Sequence, residues 1–324
     1  MKRALVGMLA AWLLAGSAVA APLVLAMSRG SVTLPVQVAQ DEGYFEAEGL
    51  QLKLLPCNSG RECAEAVRSG QADLATASEL IVALSERYDL SILATISASS
   101  HQIKLIARRS AGIQAVRDLA GKRVGTVTGS SAHYFVDSLL LFNGIDPAGV
   151  KVQNFDPTQL PQALSVHELD AVAIWEPLAS LTLKQLGSDA LVLPSPRVYT
   201  QYFNIVAPQG LMERRGPDMR RVLHALLRAE RFMARHPDEA RRAMQRMLDI
   251  DAAQADAYYR EQDYRVRLDQ ALAATISAQI RWGMAAGLLK GRPAPPPGDP
   301  ALAPRLIVPE LLRTLSPAAV TLVN

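Results

Sequence analysis

The chain of 324 residues is poor in cysteine, in net charge and, past its first residues, in long apolar runs. Each shortage removes a class of function. The formal net charge is +3, and without Lys2 and Arg3 the balance is 32 basic to 31 acidic residues, or +1. A near-neutral body gives no electrostatic reason to bind nucleic acid or a membrane surface. No segment beyond residue 20 is apolar for long enough to span a bilayer. The only cysteines are Cys57 and Cys63, with no His or second Cys pair nearby to complete a metal site. Five residues lie between them, a spacing suited to a small-loop disulfide in an oxidising compartment. Gly125 to Ser130 (GTVTGS) lacks the Lys of a nucleotide P-loop, and no G-x-S-x-G elbow occurs. Phosphoryl transfer and serine hydrolysis therefore have no motif to rest on. A binding protein is expected rather than an enzyme, with no cofactor and no metal.

What is present is an ordinary globular composition, 49% hydrophobic and 20% charged, in a chain long enough for two domains with separate cores. The first twenty residues read as an export signal. Lys2-Arg3 form the charged start, Ala4 to Leu14 (ALVGMLAAWLL) the apolar run, and Ala18-Val19-Ala20 the small-x-small cleavage pattern. No Cys near the cleavage point could carry a lipid, so a soluble, exported protein is expected.

After the signal, short apolar runs alternate with helical patterns. Leu23 to Ala26, Leu52 to Leu55, Ala72 to Ala75 and Leu90 to Ile96 read as strands. Helices are expected from Pro35 to about Gly43, through Glu62 to Val67, and from Ile81. The alternation restarts with strands at Ile103 to Ala107, Lys122 to Val127, Lys151 to Asn154 and Asp170 to Ile174. A short helix at Leu160 to Val166 lies between the last two, and Leu191 to Pro194 begins the return. Such alternation calls for mostly parallel sheets with helices on both faces. Past Asn204 to Ala207 the pattern changes to long helices, one with an apolar face of Met219, Val222, Leu223, Leu226 and Leu227. Further helices are expected at Ala240 to Leu248 and Thr275 to Met284. Gly291 to Pro304 reads as a proline-rich surface strap, and the apolar Leu306 to Leu312 as a closing segment docked on the body.

Asp118 to Gly144 (DLAGKRVGTVTGSSAHYFVDSLLLFNG) is the most informative stretch. A strand runs into Thr128-Gly129-Ser130-Ser131 and then into a helix with Phe135, Leu139 and Phe142 on one face, closed by Asn143-Gly144. A strand, a Gly-Ser-Ser turn and a helix start bring hydroxyls and backbone N–H groups to a positive helix end, which suits an anion. Ser130 and Ser131 would also serve as helix caps.

Four stretches together resemble the periplasmic solute-binding proteins of ABC importers of the nitrate/sulfonate/taurine type. They are PVQVAQDEGYFEAEGL (Pro35 to Leu50), SGQADL (Ser69 to Leu74), DLAGKRVGTVTGSSAHYF (Asp118 to Phe135) and LDAVAIWEP (Leu169 to Pro177). The resemblance implies an α/β fold of two lobes, type II-like, with two crossover strands as hinge and the ligand closed between the lobes. The cleft then lies outside the carboxyl ends of the parallel strands. Crossovers are expected near Ile96 to Gln102 and Tyr199 to Asn204. That makes lobe one residues 21–98 with 204–324, and lobe two residues 99–203.

The strand ends that would face such a cleft nominate its lining. From lobe one come Arg29, Gly30, Ser31, Ser59, Ser78 and Glu79; from lobe two Thr128, Gly129, Ser130, Ser131, His133, Trp175 and Glu176; Tyr199 lies on the second crossover. The resemblance places ligand contact on Gly129 to His133 and on Trp175-Glu176. If Glu79 and Glu176 both face inward, opposite an anion cradle, an amino-sulfonate or another zwitterion is favoured, because a buried carboxylate demands a cation or donor. The implied partners are a small solute and a permease with its ATPase. The protein would act as a periplasmic monomer with only peripheral membrane contact. A ligand sensor on the same fold, or a binder of thiamine-pyrimidine-type precursors, are the alternatives. The related synthases carry a Cys-rich iron motif that two cysteines do not match.

Overall fold

The computed structural model describes residues 22–85, 90–289 and 306–322. The expected export signal and proline-rich strap lie outside these residues. The chain builds two five-stranded sheets, one after the other. In the first half, β1 (Leu23–Ser28), α1 (Leu34–Asp41), α2 (Tyr44–Ala47), β2 (Leu52–Cys57), α3 (Gly60–Arg68), β3 (Leu74–Ser78), α4 (Glu79–Ala83) and β4 (Leu90–Ser99) follow one another. The second sheet comes from β5 (Ile103–Arg108), β6 (Arg123–Thr126), α5 (Ser131–Phe142), β7 (Lys151–Asn154), α6 (Leu160–Ser165), β8 (Ala171–Trp175), α7 (Leu178–Leu186) and β9 (Ala190–Val192). The chain then returns to the first sheet through β10 (Gln201–Pro208). It continues into α8 (Leu211–Arg235), α9 (Pro237–Leu248), α10 (Ala252–Arg260) and α11 (Gln270–Ala285).

Both sheets have the same plan. The first runs β2-β1-β3-β10-β4 and the second β7-β6-β8-β5-β9. In each, three parallel strands joined by helical crossovers are followed by one antiparallel strand that has just crossed from the other sheet. β10 pairs antiparallel with β3 and β4, and β5 with β8 and β9. The sheets are thus mixed, with the antiparallel member in each supplied by a crossing of the chain. The parallel strands point the same way for the usual reason, that each is reached through a crossover helix.

The second sheet shows the period-two logic plainly. Ile103, Leu105 and Ala107 of β5, with Ala171 and Ala173 of β8, join one core with Phe135, Val136 and Leu139 of α5. Ile106, Val172 and Ile174 face the other way, onto Leu160 and Leu164 of α6 and Ala179 of α7. Alternate side chains must leave opposite faces, so helices are needed on both. Phe142, on the last turn of α5, is 67% exposed and leaves the expected apolar face. The larger core surrounds the first sheet and takes in α8 to α11, with Met219, Val222, Leu223 and Leu226 buried as the spacing predicts. α8 departs from helical angles at Arg215, two residues ahead of Pro217, whose ring removes a backbone donor. The closing segment docks on the first sheet, where Val308 donates to the Ile92 carbonyl at 2.9 Å and Leu312 is fully buried.

The chain passes between the sheets through residues 100–102 and 193–200, each overlapping an expected crossover in part. Ile96 to Ser99 and Gln201 to Asn204 stay in the first sheet because β4 and β10 pair with each other as far as Ser99 and Gln201. Cys57 and Cys63 are joined in a disulfide, with Cα atoms 5.6 Å apart.

Candidate functional site

The parallel strands of both sheets deliver their carboxyl ends to one cleft, and the loops there carry most of the nominated residues. β6 ends in Thr126, and Gly129 takes up φ +72°, a left-handed conformation that turns the chain into α5. Ser130 caps that helix, accepting from the N–H groups of Ala132 (3.2 Å) and His133 (3.4 Å). The imidazole of His133 reaches back, its Nδ1 accepting from Gly129 N–H at 3.2 Å. Thr128 is exposed, and its N–H donates to the Asn154 side chain at 2.8 Å. Most donors of the turn are therefore engaged within it. What it offers outward is the helix end itself and the buried hydroxyl of Ser131.

Ser131 Oγ meets Ser78 Oγ at 3.1 Å, so the start of α5 touches the end of β3 across the cleft. Beside Ser78, Glu79 opens α4 with no exposed surface. Its carboxylate accepts from the Tyr199 hydroxyl, from Tyr202 N–H at 2.9 Å and from Gln279 Nε2 at 2.6 Å. Burial raises its pKa from the usual 4.5 to about 7, against the lowering effect of those donors. Burial, and then the charge of Glu79, pushes the Tyr199 phenol well above its ordinary value. Ser78, Ser131, Tyr199 and Glu79 thus form one polar chain through the cleft, joined by Gln279 from α11.

The other nominated carboxylate stands in a separate cluster. Glu176, 3% exposed at the end of β8, is paired with Lys104. It also accepts from Ser180 N–H at 3.0 Å and from the Tyr258 hydroxyl of α10 at 3.1 Å. Burial first, and the Glu176 charge beside it, raise the Tyr258 phenol to about 12. Trp175 is half-buried against the α5 side of the second sheet. Between the two clusters, Ser31 is buried, with Gly30 before it, and its hydroxyl lies 3.5 Å from both Gln102 Oε1 and Gln262 Nε2. Two amide oxygens, Gln262 Oε1 and the fully buried Gln279 Oε1, have no protein partner. A buried acceptor without a partner is costly unless something else supplies a donor.

Arg29 turns away from the cleft, and Ser59 serves as a helix cap beside it. Arg29 is exposed and donates through Nε to the Met247 carbonyl on α9 at 3.0 Å. Ser59 caps α3, accepting from Glu62 N–H at 3.2 Å. Conversely, several groups at the cleft come from segments that carry no recognisable motif. Arg61 Nη2 donates to the Gly129 carbonyl at 3.0 Å. Trp282 Nε1 donates to Asp137 Oδ2 at 2.8 Å, and its ring packs edge-on against His133 and Tyr134, with centroids 5.1 and 5.3 Å apart. Burial depresses the His133 pKa, while the nearby Asp137 carboxylate opposes this. The one available signal was in α11. Gln279 falls on the buried face of Leu272, Ile276 and Ile280, where a polar residue needs a reason.

A family model described as NMT1/THI5 like matches residues 31–240, which span the strand-end loops of both sheets up to α9. The chain belongs to this family. A Bacillus subtilis protein named for aliphatic-sulfonate binding is 25% identical over 224 residues, covering 67% of each chain. The taurine-binding periplasmic protein of Escherichia coli is 27% identical over 146 residues, 44% of this chain and 45% of that one. A further relative, 29% identical over 119 residues (36% of this chain and 37% of that one), is the 4-amino-5-hydroxymethyl-2-methylpyrimidine phosphate synthase of Legionella pneumophila. Among solved structures, the periplasmic aliphatic sulphonate binding protein of Escherichia coli superposes with a TM-score of 0.71 at 18% identity, over 84% of this chain and 90% of that one. The two-lobed periplasmic-binding-protein fold is shared. Among the described residues no helix is long and apolar enough to cross a membrane.

Proposed function

We propose that this protein is the periplasmic solute-binding component of an ABC importer, which captures a small organic anion between its lobes and presents the closed form to a permease with its ATPase. One observation carries the reading: the start of α5 and the end of β3, from different sheets, meet at Ser131 and Ser78, 3.1 Å apart. A solute held there contacts both lobes at once and favours the closed state. The names of the relatives support the sulfonate class.

Within that class, a plain organic sulfonate fits better than a zwitterion. Of the buried carboxylates at the cleft, Glu79 and Glu176 each already hold several donors, and Asp137 accepts from Trp282. An ammonium on the ligand would have to displace Lys104 or break the Glu79 network. The amide oxygens of Gln262 and Gln279 are acceptors that a plain sulfonate leaves to ordered water. The synthase reading draws no support from the cysteines, which are bonded to each other.

A melting-temperature screen of the mature protein against ethanesulfonate, taurine, nitrate, aromatic acids and thiamine-type pyrimidines tests this. A true ligand at 100 times its Kd adds about 2.7 kcal/mol of stability. Ethanesulfonate is expected to stabilise more than taurine. The reverse order would restore the zwitterion, and silence across the panel would end the solute-binding proposal.

A further inference from the structure

The geometry points to Arg61 as the residue that selects for charge at this cleft, aimed by the disulfide-bracketed loop that carries it. The inference rests on the solute-binding reading and adds to it a specific cation and the device that places it. Arg61 lies between Cys57 and Cys63, at the second position of α3. Cys63 is fully buried in the core of the first sheet and Cys57 is 8% exposed, so the bridge ties both ends of a seven-residue segment to a rigid body. Inside it, Asn58 N–H and Nδ2 both donate to Glu62 Oε2, at 3.0 and 2.9 Å, and Ser59 caps the helix. A loop so restrained presents its one cation in a fixed direction.

That direction is across the cleft. Arg61 Nη2 donates to the carbonyl of Gly129, the residue whose left-handed turn starts α5. A Cβ at Gly129 would point at the same Nη2, 3.5 Å away. A guanidinium has five N–H donors, and a neutral carbonyl leaves its charge unanswered. Among the described residues no carboxylate lies within ion-pair distance of Arg61. Lys104, another cation at the cleft, is neutralised by Glu176 and has Glu261 3.8 Å away. Arg29 faces outward. Arg61 is thus an uncompensated positive charge beside the Ser130-Ser131 turn, and an anionic headgroup seated at that turn would take its remaining donors.

The test measures ethanesulfonate and taurine binding by calorimetry at several NaCl concentrations. Wild-type protein is compared with Arg61→Ala, Arg61→Lys, Cys57→Ala/Cys63→Ala and the triple variant. Alanine is used at the cysteines because a serine hydroxyl at the buried Cys63 site would lack a partner. Because Arg61 sits on a solvent-exposed rim, Arg61→Ala is expected to weaken binding up to about fivefold and to flatten the salt dependence. Arg61→Lys should keep the salt slope with an intermediate Kd. The alanine pair should lose about as much as Arg61→Ala, and the triple variant no more than either. An Arg61→Ala protein with wild-type Kd and salt slope overturns the inference while leaving the solute-binding reading intact. Additive losses in the triple variant separate the bridge from Arg61 and overturn its role. If wild-type protein binds no anion, both readings fall together. The Arg61 comparison decides the charge by itself even where the alanine pair does not fold.

Discussion

Among the described carboxylates, Glu79 departs furthest from its ordinary behaviour. It has no exposed surface, and its three donors stabilise the charged form without overcoming the cost of burial, so its pKa rises from 4.5 to about 7. The sign of the stability effect follows. Between those values the unfolded chain has released the proton and the folded chain still holds it, so stability falls as pH rises through that window. The full shift corresponds to about 3 kcal/mol. Asp170 acts oppositely and at lower pH. Hydrogen bonds from Arg123 hold its carboxyl down at about 2, so its contribution is lost as pH falls toward that value. Urea unfolding of wild-type and Glu79→Gln protein from pH 4.5 to 7.5 should show the wild type losing stability relative to the variant as pH rises. Parallel curves would mean that Glu79 is ionised throughout.

At the scale of elements, Gly125 in β6 offers a clean steric test. An added Cβ would sit 2.3 Å from Leu169 Cδ1 and 2.8 Å from Leu160 Cδ2, so the close seating of α6 on the second sheet depends on its absence. Gly125→Ala is expected to cost about 1–3 kcal/mol as an overpacking change, read as a lowered urea midpoint at constant m. The same stretch shows what sequence reveals and what it conceals. The strand, the Gly-Ser-Ser turn and the helix were legible because each is set by local chemistry: apolar alternation, a left-handed glycine, a serine cap. That the turn would occupy most of its own N–H groups was not legible. It depends on Asn154, distant in sequence, and on which way His133 turns. The insertion of β10 between β3 and β4 was hidden for a similar reason, since a buried apolar strand reads alike in either direction. Arg61, Gln279 and Trp282 reach the cleft from elements whose own periodicity explains them as ordinary helix positions, and only tertiary packing brings them there.

At the scale of the molecule, the two lobes are joined by contacts that need no ligand. Tyr258 donates to Glu176, Trp282 to Asp137 and Arg61 to Gly129, each pair joining a residue packed with the first sheet to one packed with the second. Net hydrogen bonds of this kind are worth about 1 kcal/mol each, enough to bias an open–closed equilibrium several-fold without locking it. Apparent affinity scales with the fraction of molecules able to close. Tyr258→Phe keeps the ring in its buried site and removes only the hydroxyl shared with Glu176, Ser180 and Gln254. Glu176 retains Lys104 and Ser180 N–H, so no charge is stranded. The variant should therefore fold normally, populate the open form more, and bind its solute up to about fivefold more weakly. Small-angle scattering of the unliganded protein should show a larger radius of gyration than wild type, with the two converging at saturating ligand. Equal radii without ligand would show that these contacts accompany closure without shifting it.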